Sequence, residues 1–109
     1  MENLGSVRVA PSVLAQIACL TTLAVPGVAR MGDDLVSGVN RLIWRERPAS
    51  GVKLDIKESQ VQVDLHVVVK SGFSMLEVGT RIQEEVSDAL TRMVGMPVGE
   101  VNIYIQDVE

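Results

Sequence analysis

From position 52 onward the chain alternates apolar and polar residues with a period of two. Val52, Leu54 and Ile56 form one run, "KESQ" turns, and Val61, Val63, Leu65, Val67 and Val69 form a second. This spacing predicts a hairpin whose other face, Gln62, Asp64, His66, Val68 and Lys70, is mostly wet. The period then becomes that of a helix. Met75, Val78, Ile82, Val86, Ala89, Leu90 and Met93 fall on one stripe, wide enough to cover a sheet, and Ser74 with Glu77 has the spacing of a capping box. Gly95 supplies a left-handed stop and Pro97 prevents continuation. Val101, Ile103 and Ile105 then alternate with Asn102, Tyr104 and Gln106 as a last strand. Gly79 also lies on the helical stripe, where it reads as a close approach of helix to sheet that leaves no room for a side chain.

The first half is less regular. Val7 and Val9 alternate with Ser6 and Arg8, which predicts a short strand. Pro11 suits the first turn of a helix, and Val13, Ile17, Leu20 and Ala24 follow at helical spacing as its expected buried stripe until Pro26-Gly27 ends the run. "GVARM", residues 27–31, predicts a second short strand. Across 33–47, Leu35, Val39, Leu42 and Ile43 recur at helix-like intervals with aspartates in front and arginines behind, as a helix dipole favours. Gly38 weakens that segment, so helix and loop both remain open for it. This order of elements describes an α+β two-layer sandwich, a small and mainly antiparallel sheet covered by two main helices, in one domain spanning 1–109.

Composition narrows the function. With 47% hydrophobic but only 3% aromatic residues, the core must be built from Val, Leu, Ile, Met and Ala, and little aromatic surface remains for stacking bases. A formal charge of -4 also argues against nucleic acid as a partner, because affinity for phosphate backbones comes chiefly from clustered Lys and Arg. A single cysteine makes no internal disulfide and fits a cytoplasmic setting. Between Arg8 and Arg30 there is no charge at all, but Ser12, Gln16, Thr21, Thr22 and two prolines dilute the apolarity, and no direct membrane span is expected.

Candidate chemistry is sparse. One His and one Cys do not make a zinc site, and no metal or other cofactor is expected. His66 lies on the wet face with no nucleophile beside it and reads as a solvated surface histidine, not a catalytic base. Cys19, flanked by Ala18 and Leu20, lacks the positive charge that would activate a thiolate and reads as inert. Glu84, Glu85 and Asp88 read as a solvated helix face. No phosphate-loop pattern occurs, and no catalytic residues or small-molecule substrate are expected. Arg41, Trp44, Arg45 and Arg47 are the one plausible anion or RNA patch, the basis of an alternative reading as a small RNA-binding or ribosome-associated module, although Trp44 more simply packs on the core edge.

The uncharged first helix remains to be explained. If Val13, Ile17, Leu20 and Ala24 face the sheet, Ala15, Ala18, Cys19, Thr22 and Leu23 form an outer face with no charge, the kind of patch that marks a protein contact. Either another subunit or partner covers it, or the segment "DDLVSGVNRLIW" folds over it within the chain.

The stretches "GSVRVAPSVLAQIACLTTLAVPGVARM", "GVKLDIKESQVQVDLHVVV" and "IQEEVSDALTRMVGMPVGEVNIYIQDV" together resemble the alkaline shock protein family, the envelope stress response proteins of Gram-positive bacteria. The pieces that carry the likeness are Gly27-Val28, Gly51-Val52, Ile82-Gln83 with Val86, and Gly95 followed by Glu100-Val101-Asn102. "LAVPGV" is less acidic than the family's corresponding stretch, and "KSGF" stands in place of a more usual Tyr-Gly. The resemblance implies a non-enzymatic cytoplasmic protein of envelope homeostasis, acting as a structural or adaptor protein through self-association or a membrane-anchored partner, with no catalytic residues.

Overall fold

The computed structural model describes residues 4–32, 51–57, 60–95 and 97–109. The elements run α1 (Pro11–Leu23), β1 (Val28–Met31), β2 (Val52–Lys57), β3 (Gln60–Val69), α2 (Met75–Val94) and β4 (Val98–Val108). The architecture is α+β, and among the described residues two helices lie over a four-stranded sheet. The helix or loop expected over 33–47 lies outside the described residues.

β3 is the centre of the sheet and pairs with all three other strands. β1 lies antiparallel to its last residues, Val67 to Val69, and β2 lies antiparallel to Gln60 through Leu65. β4 runs parallel to nearly the whole of β3, from Val61 to Val69. Since β4 occupies one edge throughout, β1 and β2 share the other, end to end. Gly32 at the end of β1 and Gly51 at the start of β2 meet opposite His66. Gly32 N–H donates to the His66 carbonyl at 2.7 Å, and His66 N–H donates to the Gly51 carbonyl at 2.8 Å. Gly51 has φ +80, and a Cβ there would lie 2.6 Å from the Gly32 oxygen, so only glycine fits this pinched stem.

The alternation seen in the sequence is realised in β3, where Val61, Val63, Leu65, Val67 and Val69 are buried against the helices. Val68 departs from the expected wet face: it is buried too, at the level where both flanking strands shift register. The parallel direction of β4 follows from α2, which carries the chain back across the sheet before the last strand begins. α2 starts as its sequence predicts, with Ser74 Oγ accepting from Glu77 N–H at 3.3 Å, and ends at Gly95 with φ 78. Val78, Ile82, Val86, Ala89 and Leu90 form its buried stripe, whereas Met75 and Met93 at the two ends are exposed. On the outer side Arg92 pairs with Asp88 at 3.1 Å, and Arg81 turns forward to Glu85 at 3.6 Å.

Two expectations for the N-terminal region fail. Residues 6–9 join no sheet, and Val7 is 95% exposed. Alternation there signals only extended backbone, and extended backbone becomes a strand only where an edge accepts it. The faces of α1 are also the reverse of those expected. Leu14, Ala15, Ala18 and Thr22 are buried, while Val13, Leu20 and Leu23 are exposed. Small residues win the inner face because α1 packs against α2 as well as against β1 and β2. Ala15 and Ala18 keep this inner face narrow, and Thr22 hides its hydroxyl by donating to the Ala18 carbonyl at 2.7 Å.

Candidate interaction surfaces

Three surfaces are candidates for meeting a partner: the outward side of α1, the open face of the sheet, meaning the side turned away from the described helices, and the seam between α2 and the far edge of β4. The reversal of α1 changes which of its residues are available. Ala15, Ala18 and Thr22, expected at an interface, are core residues. Cys19 is half-buried against the core, and burial pushes its thiol above the ordinary value of 9.0, which favours the neutral, unreactive form. Leu23 alone of that set is exposed, beside Leu20, which is 68% exposed. The apolar patch thus exists, on the opposite side of the helix from the one expected. Arg41, Trp44, Arg45 and Arg47 lie outside the described residues, as does the "DDLVSGVNRLIW" segment.

On the open sheet face, side chains of β3 and β4 meet in rows because the two strands run in register. Asn102 Nδ2 donates to Asp64 Oδ1 at 2.9 Å. His66 stacks on Tyr104, with ring centroids 4.9 Å apart and planes 18° from parallel, and its Nδ1 lies 3.2 Å from Gln106 Nε2. The Gln106 amide donates there when the ring proton sits on Nε2. The sequence placed His66 correctly on this face but beside Asp64 only along the strand; its contacts come from β4. Cross-strand partners of this kind need the parallel register, which alternation does not reveal. Among the described residues, no group of three His, Cys, Asp or Glu side chains is placed to hold a metal ion.

The third surface was not foreseen. A Cβ on Gly79 would meet only Ile103 Cγ2, at 4.0 Å, an ordinary contact, so the expected lack of room is not the reason for this glycine. Gly79 instead borders an open groove of about 370 Å³ between Met75, Leu76 and Thr80 of α2 and Ile103 and Ile105 of β4. A second hollow of about 320 Å³ continues the seam past Gln83 to Val98 and Val101. Between them Gln83 Nε2 donates to the Val101 carbonyl at 3.0 Å, the role that a neighbouring strand's N–H would take. No described strand pairs with this edge of β4.

Among the described residues, no helix is long and apolar enough to cross a membrane. The fold is similar to that of MamM-CTD, with a TM-score of 0.55 at 11% identity, covering 92% of this chain and 100% of that one. A nickel form of a MamM CTD variant gives 0.53 at 11% identity, over 89% of this chain and 98% of that one. At such identity the likeness concerns the fold alone. In sequence the chain is 31% identical to the protein YqhY of Bacillus subtilis (strain 168) over 107 residues, which is 98% of this chain and 79% of YqhY. A family model matches all of residues 1–109, and the chain belongs to the alkaline shock protein 23 family, whose function is cell envelope-related.

Proposed function

We propose that the chain is a single-domain, non-enzymatic structural or adaptor protein of the cell envelope, held on the cytoplasmic side of the membrane by a membrane-anchored protein and by contact with copies of itself. The observation that supports this reading is the outward side of α1. Its 13 residues carry no charged side chain, and Val13, Leu20 and Leu23 face solvent beside the uncharged polar Ser12 and Gln16. A surface helix normally turns charged residues outward, and an apolar outward stripe costs solubility unless something covers it. Envelope-related work by a chain whose described helices do not cross a membrane calls for a protein that does.

Sedimentation with membranes tests this. The wild-type chain is expected to co-sediment with native envelope membranes, to lose that association when the membranes are first treated with protease, and to ignore protein-free vesicles of the same lipids. Leu20→Glu, which changes an exposed position, is expected to keep its melting temperature and stay in the supernatant. Undiminished sedimentation of Leu20→Glu, or equal binding to protein-free vesicles, would contradict the reading.

A further inference from the structure

The sheet has two outer edges, and they differ. One is divided between two short strands, β1 and β2, which pair with different parts of β3. The other is the outer side of β4, a strand of 11 residues that pairs with β3 on its inner side, with register shifts near both ends, and meets no described strand on its outer side. Long free edges are normally blunted by proline, lysine or a covering element, because their unpaired N–H and C=O groups invite another strand. β4 has no proline or lysine, and the apolar α2 seam lies directly beside it. Alternate residues of a strand present their backbone groups to the same edge, and Gln83 shows which set points outward here: Val101, and with it Ile103 and Ile105.

We propose that this edge pairs antiparallel with the β4 edge of a second copy, about a two-fold axis through Ile103, to make one continuous eight-stranded sheet. This deepens the self-association part of the reading above and rests on it. The sequence of β4 is self-complementary about that residue. On the helix side Ile103 meets the partner's Ile103, and Val101 meets the partner's Ile105. On the open side Asn102 lies opposite the partner's Tyr104, and Glu100 opposite the partner's Gln106. No like charges are brought together over 100–106. The same axis explains Gly79. It stands over Ile103, so the two copies of α2 would pass each other at Gly79, and a glycine that its own chain does not need becomes the residue that lets the helices close. Leu76, 80% exposed at the Ile105 end of the seam, is carried beside the partner's Val101. Two-fold contacts of this kind use one patch twice, which is why a single glycine and a single strand suffice.

Two measurements on the full chain decide it. Light scattering is expected to give twice the 11.8 kDa monomer mass for the wild type and the monomer mass for Gly79→Arg, with the circular dichroism of α2 intact in both. Asn102→Cys with Tyr104→Cys, in a Cys19→Ser background, is expected to form a covalent dimer on mild oxidation. Positions opposite each other without a direct hydrogen-bonded pair are close enough for a disulfide, whereas positions two apart on one strand are not. A monomeric wild type at about 100 μM, roughly the range in which modest interfaces assemble, would overturn the pairing. So would a dimer that survives Gly79→Arg, or a dimer that oxidation does not link. These outcomes are independent of the Leu20→Glu sedimentation result, so the adaptor reading can stand or fall separately.

Discussion

Ala18 lies fully buried on the inner face of α1, the helix that packs against α2, β1 and β2, so a larger side chain there overpacks the core. Ala18→Leu is therefore expected to cost about 1–3 kcal/mol, while Leu20→Glu, two residues further on, should stay within about 0.5 kcal/mol. Urea unfolding of the two variants checks this, and the reverse order would contradict the placement of α1. Cys19 offers a chemical probe of the same helix. Because burial raises its folded pKa above the ordinary 9.0, its contribution to stability is intact below that pH and is lost as pH climbs through the folded value. Alkylation with iodoacetamide at pH 7.5 is therefore expected to be slower in the folded chain than in urea, and an equal rate would mean that the thiol is exposed.

Among the elements, α2 and the β2–β3 hairpin were the most legible from sequence, for a physical reason. Each sorts its apolar residues onto one face, so the pattern names both the element and its orientation. α1 does not sort them. Apolar side chains surround it, and a choice between Val13-Ile17-Leu20 and Leu14-Ala18-Thr22 depends on the close fit to α2, which is tertiary information. The strand expected at 6–9 failed for a related reason, since a strand is a property of two segments and the pattern was read from one. The open-face contacts of His66, the direction of β4 and the role of Gly79 were hidden in the same way. Local turn chemistry, by contrast, was readable. Gly95→Ala is expected to cost about 1 kcal/mol, because it places a side chain at positive φ in open space. Gly51→Ala should cost more, since the added Cβ also strikes the Gly32 and His66 carbonyl oxygens. Thermal melts of the two variants give the comparison, and a milder effect at Gly51 would contradict the pinched stem.

At the scale of the whole molecule, the interior is a scaffold of valine, leucine and isoleucine that fixes two outward features, the uncharged side of α1 and the free edge of β4. They lie on different elements, so one chain can hold a copy of itself through one and an envelope protein through the other. On the reading proposed above, such an arrangement would make the chain a connector, in keeping with the cell envelope-related function of the family. Amide hydrogen exchange, compared between the dilute free chain and the chain bound to envelope membranes, reads both features at once. The account predicts slowed exchange at Val101, Ile103 and Ile105 and along α1, with little change on the open face around His66 and Tyr104; slowing confined to that open face, or none anywhere, would contradict it.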